Sequence, residues 1–229
     1  MKIGGFQKLS LIDYPGIICS IVFTQGCLFR CPYCHNPELV DVKKEGVVSE
    51  DEVLDFLQSK KGFVEGVSIT GGEPTLQKDL PEFIKKIKNF GFLVKLDTSG
   101  VYPAMVQKLL DGNLLDYIAM DIKNTWEKYG EIVQSKNSTA IGNCKKTFII
   151  IQNSGVDHEF RTTVFPQVHT QDDFLEIAGY LKDGEKYFIQ NIRYNKTLDP
   201  KINKKAKLDV GAIAGDLQKM YPMAIIQER

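Results

Sequence analysis

The sequence predicts an α/β protein built on a parallel sheet, and three observations carry that prediction. Apolar, β-branched runs alternate with helical patterns about six times along the 229 residues. That order is the one right-handed βαβ units produce. No repeat, low-complexity tract or linker interrupts it, so residues 1–229 read as one domain. The chemically unusual residues fall mostly at the ends of strands, where parallel α/β proteins place their sites. Periodicity does not choose between an open doubly wound sheet and a partial barrel.

The elements follow in order. Residues 17–24 form an apolar run that reads as a buried strand. Ser49 followed by Glu52 makes a capping box that opens a helix through about Ser59. Residues 66–70 are a short strand ended by Gly71-Gly72. Leu80, Phe83, Ile84, Ile87 and Phe90 recur at helical spacing, and Gly91 stops that helix. A strand over 92–98 precedes a helix marked by Val101, Met105, Val106, Leu109 and Leu110. Residues 115–122 are the next strand. Ile141, Cys144, Phe148 and Ile151 suggest a helix, although 147–151 also reads as a strand. Strand 159–165, a helix through Phe174, Leu175, Ala178 and Leu181, and strand 186–192 come next. A last helix carries Val210, Ile213, Leu217 and Met220, and a short tail covers 223–227.

Composition narrows the function classes. Lys and Arg number 29 and Asp and Glu number 29, so the formal charge is zero. A balanced chain is poorly suited to bulk capture of nucleic acid or of an anionic membrane, and neither is expected as a partner. The longest apolar run, 17–23, is far too short to span a bilayer. The N-terminus shows no signal-peptide pattern, which points to a cytoplasmic protein. Five cysteines, an odd number, are poor material for a disulfide framework.

Three of the five lie within eight residues, as Cys27-Leu-Phe-Arg-Cys31-Pro-Tyr-Cys34. Structural zinc usually takes four protein ligands, and His35 is a cramped fourth beside Cys34. A [4Fe-4S] cluster held by three thiolates instead leaves one iron open to a small chelating ligand. Phe29, Pro32 and Tyr33 would shield such a cluster and tune its potential. Gly71-Gly72-Glu73-Pro74 follows the second strand. Asp97-Thr98-Ser99-Gly100 ends the third, Asp121-Ile122-Lys123 ends the fourth, and Arg161 sits early in the fifth.

These residues carry a resemblance. The Cys27-x3-Cys31-x2-Cys34 spacing with Tyr33 before the last cysteine resembles the radical S-adenosylmethionine signature, and Gly71-Gly72-Glu73-Pro74 resembles that superfamily's second motif. A narrower resemblance runs along nearly the whole chain. Ser10-Leu11-Ile12-Asp13-Tyr14-Pro15-Gly16, Phe23-Thr24-Gln25-Gly26-Cys27, His35-Asn36-Pro37, Phe160-Arg161-Thr162-Thr163-Val164 and Lys196-Thr197-Leu198-Asp199-Pro200 are similar to glycyl-radical-enzyme activases. Among these the chain most resembles activases of anaerobic ribonucleoside-triphosphate reductase that lack extra ferredoxin-like clusters.

The resemblance implies a partial (β/α)6 barrel, which is the architecture periodicity leaves open. It implies that Cys27, Cys31 and Cys34 hold three irons of a [4Fe-4S] cluster while S-adenosylmethionine chelates the fourth. An electron from flavodoxin or ferredoxin would cleave the sulfonium, and the resulting 5′-deoxyadenosyl radical would take a hydrogen atom from a glycine of the partner enzyme. Glu73 and the backbone of Gly71 and Gly72 would accept from the methionine ammonium. Tyr33 and His35 would lie beside the adenine or the cluster. Asp121 and Lys123 would bind the cofactor, Asp97 with Asp121 would also hold a monovalent cation, and Arg161 would pair with the carboxylate or ribose. Related activases use a histidine near the sixth strand; here Gln190 or Asn191 is the nearest polar candidate. The alternatives are another glycyl-radical enzyme of the pyruvate formate-lyase type, or a small molecule, as the target.

Plainer readings stand beside these. Asp97 and Ser99 would serve as caps, Asp121 and Lys123 as a solvent-side pair, and Arg161 as a strand-surface partner of Glu159. Cys19 and Cys144 read as small buried hydrophobes, and His158 and His169 as surface residues. The run 201–207 reads as a solvated loop, with partner docking or an electron-donor contact as the sharper alternative.

Overall fold

Eight strands form one sheet in which every strand pairs with its sequence neighbours, and the computed structural model describes residues 1–204 and 206–229. β1 (Ile3–Ser10) runs antiparallel to β2 (Cys19–Thr24). From β2 onward all neighbours are parallel: β3 (Gly66–Gly71), β4 (Leu93–Thr98), β5 (Tyr117–Asp121), β6 (Asp157–Thr163), β7 (Lys186–Gln190) and β8 (Ile225–Glu228). β1 and β8 are the two ends of the sheet, so the barrel stays open along one side. Helices α1 (Glu50–Ser59), α2 (Leu80–Asn89) and α3 (Pro103–Asp111) follow β2, β3 and β4 in turn. α4 (Tyr129–Val133) and α5 (Ala140–Gln152) follow β5, α6 (Gln171–Ala178) follows β6, and α7 (Val210–Met220) follows β7. The six βα units of β2 to β7 are the partial (β/α)6 barrel.

The alternation of strand side chains explains the two layers. Val22, Val67, Ile69, Val94, Leu96, Ile118, Met120, Phe160, Tyr187 and Ile189 are buried on the face that meets the helices. The other face, with Ser68, Thr70, Lys95, Asp97, Asp121, Glu159, Arg161 and Gln190, lines the barrel interior and is polar at its carboxyl end. Local signals hold where expected. Ser49 accepts from the Glu52 backbone N–H at 3.1 Å, the first half of the predicted box. Gly91 ends α2 at φ +89°, a left-handed value that suits glycine.

Some boundaries differ. The segment 147–151 is helical, within α5, because Ala140, Cys144, Thr147, Phe148 and Ile151 bury one stripe at helical spacing. β6 begins at Asp157, so Arg161 lies in the carboxyl half of its strand, not early in it. The tail pairs with β7 as β8. β1 is an addition to the sequence reading. Its Gly4, Gly5, Gln7 and Lys8 give little apolar alternation, and its strand state comes from pairing with β2.

Candidate functional site

The cysteines sit in a 25-residue connection between β2 and α1, and its course is set by backbone bonds to neighbouring segments. Gln25 N–H donates to the Lys2 carbonyl at 2.9 Å, Gly26 N–H to Leu39 at 2.7 Å and Cys27 N–H to Val40 at 3.2 Å. The side-chain amide of Gln25 donates to the Asp41 carbonyl at 2.9 Å. Arg30 N–H donates to Val133 at 2.8 Å, and Phe29, Tyr33 and Leu39 bury their side chains beneath the loop. Loops hold a defined shape only when their polar backbone is paired in this way.

The Gly-Gly-Glu-Pro turn is one of those partners. Gly72 N–H donates to the Thr24 carbonyl at 2.9 Å and Glu73 N–H to the Gly26 carbonyl at 2.8 Å. A Cβ on Gly72 would stand 2.2 Å from the Gly26 oxygen, and one on Gly71, at φ +113°, 2.4 Å from the Thr24 nitrogen. The close approach that demands glycine is therefore to the start of the cysteine loop.

Glu73 departs from its expected place. Its side chain is 1% exposed and does not line the cavity. One carboxylate oxygen accepts from the Thr98 hydroxyl at 2.7 Å, from Thr75 N–H at 3.1 Å and from the Thr75 hydroxyl. The other accepts from Ser99 N–H at 2.8 Å and from the Ser99 hydroxyl. Both oxygens are occupied by these bonds, so Glu73 braces the end of β4 against the β3 turn. Ser99 accordingly serves Glu73 rather than capping a helix.

The remaining predicted residues converge. Cys27, Cys31, Tyr33, Cys34, His35, Gly71, Gly72, Asp97, Asp121, Lys123, Arg161 and Gln190 line one cavity of about 240 Å³ at the carboxyl end of the sheet. Phe29, Asn36, Thr70, Thr98, Ser99 and Thr163 complete its wall. Asn191, the other sixth-strand candidate, turns away and donates to Glu228 at 2.6 Å.

The cavity floor is a chain of charges. Arg161 donates from Nε to Asp121 at 2.9 Å and from NH1 to Asp97 at 3.3 Å. Lys123 Nζ donates to the other Asp121 oxygen at 3.0 Å, and Lys95 is ion-paired with Asp97. Asp121 and Lys123 do form the plain pair considered for them, but inside the cavity. Glu159 approaches Arg161 only at 3.8 Å; its nearer partners are Arg229 at 2.7 Å and the Tyr117 hydroxyl at 3.0 Å. Burial opposes the charge on Asp121, yet Arg161 and Lys123 outweigh it and hold its carboxyl well below the usual carboxylate range. Arg161 and Lys95 do the same for Asp97. Asp97, Asp121, Lys123 and Arg161 are each held in their charged forms by these partners, so the floor both attracts a carboxylate and accepts from an ammonium.

Sequence reasoning missed two contributors. Lys95, 2% exposed, sits two residues before Asp97 and so on the same strand face, a signal period-2 alternation offers. His169 is 3% exposed, not a surface residue. Its Nδ1 accepts the Phe165 N–H at 2.9 Å, so Nε2 carries the proton and donates to the Lys123 carbonyl at 2.9 Å. Burial pushes its pKa down to about 4. It ties the loop after β6 to the backbone of a cavity residue. His158 is partly buried beside Glu185. Cys19 and Cys144 are fully buried, as read.

The donor set suits an iron–sulfur cluster. Cys27, Cys31 and Cys34 are free thiols on one cavity wall. Among the described residues no three His, Cys, Asp or Glu side chains converge on a single ion. A multi-iron cluster asks for separated thiolates, one to each iron. Burial raises the Cys27 thiol to about 12 and Cys31 to about 11, so binding metal must displace protons. The Tyr33 hydroxyl, buried on the same wall, has no hydrogen-bond partner among the described residues. A buried hydroxyl left unpaired is costly, and this one lies beside the cysteine wall of the cavity.

Comparison with known proteins gives a consistent picture. The sequence model of the radical SAM superfamily matches residues 21–181. A Methanocaldococcus jannaschii protein provisionally named a glycyl-radical enzyme activating enzyme is 35% identical over 214 residues, 88% of this chain and 84% of its own length. The pyruvate formate-lyase-activating enzyme of Clostridium pasteurianum is 26% identical over 225 residues, 96% of this chain and 91% of its own. Among solved structures, SuiB of Streptococcus suis bound to S-adenosylmethionine superposes with a TM-score of 0.67 at 15% identity over 90% of this chain, which spans 48% of that protein. QueE of Escherichia coli superposes with a TM-score of 0.55 at 15% identity, covering 100% of this chain and 93% of its own. Likeness at such identities speaks for the fold alone.

Proposed function

The chain belongs to the radical SAM superfamily, and from that premise we propose that it activates a glycyl-radical enzyme, specifically an anaerobic ribonucleoside-triphosphate reductase. The observation that carries the reading is the joining of three free thiols and a floor of paired charges in one cavity. A [4Fe-4S] cluster and S-adenosylmethionine, when bound, supply reductive sulfonium cleavage and hydrogen-atom abstraction from the partner's glycine.

The chain's own residues do the positioning. Cys27, Cys31 and Cys34 hold the cluster. Lys123 and Arg161 present cationic donors for the cofactor carboxylate, and Asp97 and Asp121 accept from its ammonium or ribose. Gly71 and Gly72 keep the cysteine loop against β3 and offer backbone carbonyls to the same group. Tyr33 and His35 border the cluster or adenine, and Gln190 takes the place of the family's sixth-strand histidine. A monovalent cation on Asp97 and Asp121 would have to share carboxylates that already bind Lys95, Lys123 and Arg161. The reductase target rests on the motif resemblance along the chain, from residues 10–16 to residues 196–200. The identity to the Clostridium pasteurianum enzyme favours, as second reading, a target of the pyruvate formate-lyase type.

Anaerobic reconstitution followed by dithionite reduction tests the chemistry. The expected result is about one cluster per chain and 5′-deoxyadenosine formed by the wild type but not by a Cys27→Ala/Cys31→Ala/Cys34→Ala variant. Bound zinc with no 5′-deoxyadenosine would overturn it. A glycyl electron-paramagnetic signal then identifies which partner enzyme is activated.

A further inference from the structure

Residues 191–209, between β7 and α7, carry six Lys and Arg against two Asp, in a chain of 29 basic and 29 acidic residues. The segment lies over the carboxyl end of the sheet and is pinned to the cysteine loop. Arg193 N–H donates to His35 Nε2 at 3.2 Å, Asp199 N–H to the Pro32 carbonyl at 2.9 Å, and Lys196 pairs with Glu38 at 2.6 Å. Ile202 is buried and Asn203 N–H donates to Gln167 at 3.0 Å, which fastens the far end. Lys201, Lys204 and Lys207 are exposed, and none enters an ion pair among the described residues. Arg30, Lys43 and Lys44 of the cysteine loop are exposed as well. The cysteine loop balances these with exposed Glu38, Asp41 and Glu45, so the excess of positive charge at this end lies on the 191–209 strap itself.

We propose that this basic strap is the docking surface for an acidic one-electron donor protein. The proposal rests on the reading given under Proposed function, which requires that one electron reach the thiol-bound centre for each cleavage. One electron leaves the reduced donor and enters the cluster; no bond or proton changes at the interface. Lysines freed from internal pairs steer an acidic partner by long-range attraction and cost little to desolvate at a rim. Pinning the strap to Pro32, His35 and Glu38 sets the docked partner against the cysteine loop, the shortest route inward. A surface that only solubilised the chain would need neither these three tethers nor a three-to-one excess of basic over acidic residues.

The experiment compares two reductants on reconstituted full-length protein: dithionite, and a reduced acidic flavodoxin as probe. In Lys201→Glu/Lys204→Glu/Lys207→Glu, flavodoxin-driven 5′-deoxyadenosine formation is expected to fall about tenfold or more at low salt, with the dithionite-driven rate kept within about twofold. Flavodoxin binding by interferometry should weaken in step, and the wild-type donor-driven rate should fall with added salt while the dithionite rate does not. The Lys→Arg triple variant should behave as wild type. A donor-driven rate and binding that ignore both charge reversal and salt would overturn the proposal, as would unchanged donor kinetics with a reduced glycyl yield, which would give the strap to the substrate protein. If charge reversal also lowers the dithionite rate, wild-type binding against salt decides: a flat response refutes docking. Failure of dithionite-driven cleavage in the wild type would instead strike the enzymatic reading, a separate result.

Discussion

His169 offers a quantity that can be worked from the structure. It is buried, its Nδ1 accepts from Phe165 and its Nε2–H donates to the Lys123 carbonyl. A second proton on Nδ1 would displace the Phe165 bond and bury a charge, and burial holds the pKa at about 4. In the unfolded chain an imidazole titrates near 6.5. Between those values the unfolded state binds more protons, so folding stability falls as pH drops from above 6.5 toward 4. At pH 5 the loss relative to pH 7.5 comes to about 2 kcal/mol, and it approaches about 3 kcal/mol below pH 4. The perturbation is His169→Gln, which removes the titration. His35 and His158 titrate alike in both proteins and cancel in the difference. Urea unfolding of reduced apoprotein at half-unit pH steps gives the two stability curves. The gap between them should narrow by about 2 kcal/mol between pH 7.5 and 5. A gap constant over that range would mean that His169 is protonated or exposed, and the tie to Lys123 would have to be abandoned.

Three further outcomes follow from the site. Gly72→Ala drives a Cβ to 2.2 Å from the Gly26 oxygen, so reconstituted iron per chain should drop sharply; Gly142→Ala, whose Cβ meets nothing within 4 Å, is the control that should not. Glu73→Gln points an amide N–H2 at donors from Thr75 and Thr98 or from Ser99; chemical denaturation should show a loss of about 1–3 kcal/mol. Tyr33→Phe removes a buried hydroxyl with no partner among the described residues, so chemical denaturation should show apoprotein stability unchanged or slightly higher.

What the sequence determined by itself is whatever depends on near neighbours along the chain. The Cys27, Cys31 and Cys34 spacing, the strand ends at Gly71, Thr98 and Asp121, and the helical stripe of α2 are one-dimensional patterns, and they persist because local backbone geometry converts spacing into position. Their shared placement at strand ends was enough to gather twelve of the predicted residues into one cavity. The tertiary structure decided what depends on register and on partners far along the chain. Glu73 is a brace between strands because β3 and β4 lie side by side and bring Thr98 and Ser99 to its carboxylate, 25 and 26 residues away. Arg161 found Asp121 because the β5–β6 register sets them opposite each other. His169 looked like a surface residue until the loop after β6 folded it onto Lys123, 46 residues earlier. β1 became a strand only because β2 offered a free edge. A carboxylate, an imidazole or a weakly apolar run is compatible with several environments, and only the partner supplied by the fold selects among them, since the cost of burying a polar group depends on what it meets there.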